Sequence, residues 1–274
     1  MAAQTARGHG TRGRRFAALS ALVGLVACAA PVGSPPAPSH GAAPPAATRW
    51  KVVLVAGDGN LPVFDNAVRR LQARLRDGAG VPASDIRRFS SAPAAVARDG
   101  GETASLDRVL GAIEGMRPAA GQGCLVYATS HGVPYRGLAL SLTGEVLTPD
   151  ALDRALVAGC GDAPTVAVVS GCYTGVFVRP PFARPNRVVL SAARADRPSF
   201  GCGAGYEYTV FDRCLLDAVE QGGDWKRAYA AVQGCVSEEE RKGRFRPSEP
   251  RAYFGPAVDG LPLPAGAGGP LPRT

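Results

Sequence analysis

The 274 residues hold 31 Lys/Arg against 23 Asp/Glu, a formal net charge of +8, with seven cysteines and three histidines. Four of the arginines (Arg7, Arg12, Arg14, Arg15) precede an apolar N-terminal stretch, and without that segment 27 basic side chains face 23 acidic ones, too even a balance to predict nucleic-acid binding by charge. The one locally basic run, Arg241-Lys-Gly-Arg-Phe-Arg246, follows Glu238-Glu-Glu240 and reads as a solvated helix end, so no nucleic-acid partner is expected.

Phe16 to Ala30 is apolar and small-residue-rich, too short to span a bilayer as a mature helix, and with its basic flank it reads as an export signal. It ends in Leu25-Val26-Ala27-Cys28, which resembles a bacterial lipobox, so residues 1–28 are expected to be a lipoprotein-type signal with Cys28 lipidated. The alternative is an ordinary signal cut near Ala27–Ala29. Residues 29–48 are Pro/Ala-rich and read as an extended tether. The expected placement is therefore the cell envelope, anchored to a membrane through lipid, with the periplasmic face favoured. Residues 256–274 are Pro/Gly-rich and read as a tail, which leaves 49–255 as a single domain.

Within that domain, Lys51–Ala56 is a β-branched apolar run, a buried strand by pattern, and Gly57-Asp58-Gly59-Asn60 is turn chemistry in which Asp58 reads as a turn former. Val63 to Leu75 has apolar residues at helical spacing, as does Thr103 to Met116. Asp85–Phe89 is a weaker strand, 123–129 a stronger one, and 138–142 a small hairpin arm. Thr148-Pro149-Asp150 has the capping hydroxyl, first-turn proline and acid of a helix start. Further strands are expected at 165–170 and 187–192, helices near 208–219 and 225–240, and an edge strand within 247–254. Alternation of strand and helix predicts an α/β fold: a mostly parallel sheet flanked by helices on both faces.

His131 is the one histidine of this domain; His9 and His40 fall in the signal and the tether. It follows the apolar run Cys124–Ser130, and Cys172 follows the run Thr165–Ser170, so each ends a buried strand. In open parallel sheets that edge is where sites form. An imidazole beside a thiol can take its proton and leave a nucleophilic thiolate. No glycine-rich phosphate motif is present, and without a C-x-x-C pair or a second domain histidine neither a metal nor an organic cofactor is expected. If Cys28 is lipidated and Cys172 is the nucleophile, Cys124, Cys160, Cys202, Cys214 and Cys235 remain, an odd set that permits at most two disulfides. One bridge is expected between two of Cys202, Cys214 and Cys235.

With histidine first and cysteine second, each at a strand end, the chain resembles the legumain-like (hemoglobinase) family of the caspase/legumain superfamily of cysteine peptidases. The resemblance is carried by Ala128-Thr-Ser-His131-Gly132, Val166-Ala-Val-Val-Ser-Gly-Cys172, Phe64-Asp-Asn-Ala67 and Leu190-Ser-Ala-Ala-Arg-Ala-Asp-Arg-Pro-Ser-Phe200. It implies a caspase/legumain-like fold and peptide or protein substrates, cleaved through a thioester acyl-enzyme by Cys172 as nucleophile and His131 as base. It further implies an oxyanion hole from the N–H groups of Gly132 and Cys172, and Asn66 orienting the histidine. Arg194, Asp196 and Ser199 would form part of the pocket for the residue before the scissile bond; Arg194 would favour an acidic or amide side chain there and Asp196 a basic one. Transpeptidation by the same pair, and an inactive envelope lipoprotein that binds partners, are the alternatives.

Overall fold

The computed structural model describes residues 49–203 and 205–264. Cys28, the signal, the tether and the last ten residues lie outside them. The central sheet has seven strands in the order β10-β9-β8-β4-β1-β2-β3. Its members are β1 (Arg49–Ala56), β2 (Ile86–Ser90), β3 (Glu102–Thr103), β4 (Gln122–Thr129), β8 (Thr165–Ser170), β9 (Arg187–Ser191) and β10 (Arg251–Phe254). All neighbours are parallel except β10, which runs antiparallel to β9. A second, three-stranded antiparallel sheet holds β5 (Gly132–Val133), β6 (Gly137–Leu140) and β7 (Glu145–Leu147).

Every residue of β4, β8 and β9 is buried, because helices cover both faces and alternate side chains enter separate cores. On one face Val52, Leu54, Leu125, Tyr127, Val166, Val168, Val188 and Leu190 pack with α1 (Pro62–Ala73), α5 (Val210–Glu220) and α6 (Trp225–Gly243). On the other, Val53, Val55, Val126, Ala128, Ala167, Val169 and Val189 pack with α3 (Leu106–Glu114) and α4 (Pro149–Cys160). Burying each such aliphatic side chain contributes about 1.5–3 kcal/mol. Thus the continuous apolar runs read as strands from sequence are strands, and the expected mostly parallel, doubly covered sheet is the one observed.

Several short elements escaped the pattern, among them α2 (Pro93–Asp99) and β3. α2 is a short Ala/Arg helix with one buried residue, Ala95, so it has no apolar stripe to read. β3 has two residues and shows no alternation. The helix start at Thr148 is as expected: its hydroxyl accepts from the Ala151 N–H at 3.2 Å, with Pro149 in the first turn. The chain also stays packed beyond residue 255. Val258, Leu261 and Leu263 are buried in the α1/α5/α6 core and Leu263 N–H donates to Gly223 O, so residues 256–264 belong to the domain and not to a tail. β10 is short, lying between Pro250 and Gly255-Pro256.

Cys214 on α5 is bridged to Cys235 on α6, and Cys124 on β4 to Cys160 at the end of α4. The first is one of the pairings the sequence left open; Cys202 stays a free thiol. Replacing Cys214 and Cys235 by serine should lower stability by about 3 kcal/mol. Urea unfolding of variant and wild type under non-reducing conditions measures this, and equal midpoints and slopes would show that the bridge contributes nothing.

Candidate active site

The register of three central strands sets up the site. Ala56 on β1 pairs with Thr129 on β4, and Thr129 with Ser170 on β8. The ladder continues one step further: Gly57 N–H donates to Thr129 O at 2.9 Å and Ser130 N–H to Ser170 O at 3.0 Å. The residues two beyond the last paired rung are Asp58, His131 and Cys172. They form a row across the carboxyl edge, on strands whose spacing is about 4.8 Å.

Cys172 is a free, half-buried cysteine. Its Sγ accepts from the Ser199 N–H at 3.3 Å and faces the Ser199 carbonyl oxygen at 3.6 Å. Ser199, expected to line the pocket, therefore meets the sulfur directly through its backbone. Tyr173, the next residue, is held in the left-handed region at φ 62° and its N–H donates to Arg197 O at 2.8 Å. A bulky residue seldom adopts that conformation, and here it turns the chain sharply out of the strand just after the sulfur-bearing residue.

Gly132 packs directly on the Cys172 backbone. A Cβ at 132 would lie 1.6 Å from the Cys172 carbonyl oxygen, so no other residue fits. This is a closer constraint than the one sequence suggests, where glycine leaves room for a substrate carbonyl. In the hairpin, Ala139 N–H donates to His131 O at 2.9 Å, which makes 131/139 the bonded rung and 132/138 the unbonded one. The Gly132 N–H is thus directed away from β6. The Cys172 N–H also has no acceptor among the described residues. Two unspent N–H groups from touching backbone segments can receive a developing oxyanion.

His131 is 46% exposed at its side chain, with Nε2 3.7 Å from Oδ2 of Asp58, whose side chain is 3% exposed. The ring of Phe64, on α1, meets the imidazole edge-on at 5.3 Å between centroids. Asn66 is engaged elsewhere: its amide nitrogen donates to Glu207 O at 2.9 Å and its oxygen accepts from Arg69. The helix turns Asn66 toward Glu207, and the histidine has a carboxylate as its neighbour instead. Asp58 does form the expected turn, accepting from the Asn60 amide at 2.8 Å, but it also borders the site. The signal that could have found it is positional, since it stands as far beyond β1 as His131 stands beyond β4.

Arg194 and Asp196 are each other's partners. The guanidinium grips both carboxylate oxygens, at 2.5 and 2.9 Å, and a third bond reaches Glu249 at 2.8 Å. The arginine holds Asp196 well below the usual carboxylate range, at about 2. Neither residue offers an unpaired charge to a substrate, so the opposite selectivities expected from them cancel locally. Cys202, in the same loop system, has its thiol pushed up by burial, then by the charge of Cys172 and of Asp58.

Beneath the row is a buried polar layer. Asp212, on the first turn of α5, accepts from the Thr129 hydroxyl at 2.7 Å, and its own N–H donates to the Thr209 hydroxyl at 3.1 Å. Ser170 and Tyr127 also surround the carboxyl. Asp212 therefore ties α5 to the end of β4 and borders the end of β8, two residues short of His131 and Cys172. Burial pushes its carboxyl up, opposed by these hydroxyls. A raised native value means stability is fully present below the ordinary carboxylate pKa of about 3.9 and lost as pH rises through the native value. Asp212→Asn should keep the Thr129 bond while removing that loss, so its stability relative to wild type should increase from pH 4 to pH 8. Asp212→Ala should cost about 1–3 kcal/mol by leaving the Thr129 hydroxyl without its acceptor. Urea unfolding at several pH values tests both, and parallel wild-type and Asn curves would contradict the assignment.

Among the described residues no group of three or more His, Cys, Asp or Glu side chains is placed to hold a metal ion, and no helix is long and apolar enough to cross a membrane.

Residues 120–240 match the family model described as the Peptidase C13 family. That span includes His131, Gly132, Cys172 and the 194–203 loop, but neither Asp58 nor Asn66. No curated protein matches the sequence. Among solved structures, the chain is similar to the crystal structure of caspase-1 from Spodoptera frugiperda, with a TM-score of 0.53, 11% identity, and coverage of 77% of this chain and 88% of that one. At that identity the likeness shows the fold.

Proposed function

We propose that the chain is a cysteine-type endopeptidase of the caspase/legumain superfamily, acting through a thioester acyl-enzyme; the family-model match over residues 120–240 and the caspase-like fold support this reading. The observation that carries this reading is the in-register placement of His131 and Cys172 at the carboxyl ends of adjacent strands, with two unspent N–H groups beside the sulfur. His131 takes the thiol proton and the thiolate attacks the scissile carbonyl carbon. The negative oxygen is received by the Gly132 and Cys172 N–H groups. Collapse expels the amine, which takes the proton from the imidazolium, and leaves a thioester on Cys172. Water, losing a proton to His131, then attacks the thioester and releases the acid and the thiol.

Cys172→Ala should abolish hydrolysis of a peptide library by the purified protein, and His131→Ala should come close to doing so. The double variant should be no worse than Cys172→Ala, because the two groups act as a unit and their losses do not add. A peptidyl electrophile should label Cys172 ahead of Cys202, since burial keeps the Cys202 thiol protonated. Hydrolysis retained by folded Cys172→Ala protein would overturn the mechanism.

Lipid-anchored export is part of the same proposal. Two disulfides suit an oxidising compartment, and Leu25-Val26-Ala27-Cys28 offers the acyl acceptor. Cys28→Ala should move the protein from the membrane fraction to the soluble one. A wild type already wholly soluble, or one that never incorporates labelled fatty acid, would end this part of the reading.

A further inference from the structure

We infer that Asp58 is the positioning residue for His131, so that the site works as an Asp58–His131–Cys172 relay laid across β1, β4 and β8. The inference deepens the peptidase reading and rests on it. Three observations carry it. Asp58 occupies the position on β1 that His131 occupies on β4 and Cys172 on β8, two residues past rungs that pair 56 with 129 and 129 with 170. Its carboxylate is almost wholly buried, and the one ring nitrogen near it is Nε2 of His131, at 3.7 Å. Among the described residues the other hydrogen bonds of the carboxylate are both with Asn60, whose side-chain amide donates at 2.8 Å to Oδ1 and whose backbone N–H donates at 3.3 Å to Oδ2. Oδ2 is therefore the oxygen turned to the histidine.

The chemical consequence follows from the imidazole. Which nitrogen carries the proton is set by the partner of the other. A carboxylate facing Nε2 holds the proton there and leaves the Nδ1 lone pair as the base. When the thiol proton arrives at Nδ1, the carboxylate also stabilises the imidazolium without taking the proton itself. The separation of 3.7 Å exceeds a formed hydrogen bond, and such contacts commonly tighten once substrate is bound.

The turn that presents Asp58 is held by backbone contacts as well as by the carboxylate. Ser141 N–H donates to Gly57 O at 2.7 Å, Ser91 N–H to Ala56 O at 2.9 Å, and Gly59 N–H to the Ser141 hydroxyl at 3.0 Å. Gly59 sits so close to Ser91 that a Cβ there would lie 2.4 Å from the Ser91 carbonyl oxygen. The backbone is clamped from two sides, so the side chain can be changed with the turn in place.

Asp58→Asn is the informative variant. Its amide oxygen is drawn to the Asn60 side-chain donor, which turns the NH2 group toward Nε2 and reverses the preferred tautomer. The expected result is a fall in kcat of roughly 10²-fold or more with KM within about threefold. Asp58→Ala should show a similar loss without the reversal. The tautomer itself is read by nitrogen NMR of the full chain labelled at histidine, with His131→Gln identifying the signal. Wild type should show a protonated Nε2 and an unprotonated Nδ1 in the neutral ring, Asp58→Asn the reverse, and Asp58→Ala a mixture. An equal tautomer mixture in wild type, or an Asp58→Asn protein that keeps both tautomer and kcat, overturns the inference. The NMR measurement needs no turnover. A wild type that holds the Nε2–H tautomer but hydrolyses no peptide would count against the peptidase reading and leave the Asp58 assignment standing.

Discussion

The parallel register of β1, β4 and β8 is the constraint on which the site depends. A shift of one rung at either interface would turn one of the side chains in the Asp58–His131–Cys172 row to the opposite face, since successive residues in a strand alternate. The register is held at several heights. The apolar layers fix it through the middle of the strands, and Asp212 fixes it at the top by binding Thr129 and bordering Ser170. The contact between Gly132 and Cys172 fixes it above that, where no atom larger than hydrogen fits. Two of these controls are specific to the carboxyl edge, where the core alone would leave the loops free.

Helix α1 serves the same edge from the side. Asp65 accepts from the Arg88 guanidinium and the Ser90 hydroxyl, both at 2.9 Å, a buried set that docks the helix onto the end of β2. With the helix docked, the neighbouring Phe64 presents its ring edge to the imidazole. The cost of burying this charge is met by pairing, and the gain is the placement of one apolar ring against a half-exposed histidine.

Most of the fold was legible because its strands are buried on both faces, and a continuous β-branched run such as Val52–Val55 or Val166–Val169 has few other readings. The His131 and Cys172 positions were legible for the same reason, as polar residues standing where such runs stop. What could not be read was anything that depends on contact across the sequence. Asn66 and Asp58 are both polar residues near the first loop, and only pairing of β1 with β4 shows which of them stands beside His131. Arg194 and Asp196 likewise look like two independent pocket charges until the loop folds and they neutralise each other. The packing of Leu261 and Leu263 was hidden by the prolines and glycines around them, which mark an irregular path but not an exposed one.

The two ends of the main sheet bear on how the protein survives in a crowded compartment. A sheet this apolar would be a ready template for added strands if its margins were long and flat. β10 offers four residues between prolines, only alternate ones of which turn their N–H and C=O groups outward. At the opposite margin β3 has two residues, and Glu102 there is tied to Arg87 by an ion pair at 2.6 Å. A visiting chain would gain almost no ladder at either side. Brevity and proline at one margin, brevity and charge at the other, let the fold keep a wide hydrophobic interior without inviting strand-by-strand growth into aggregates.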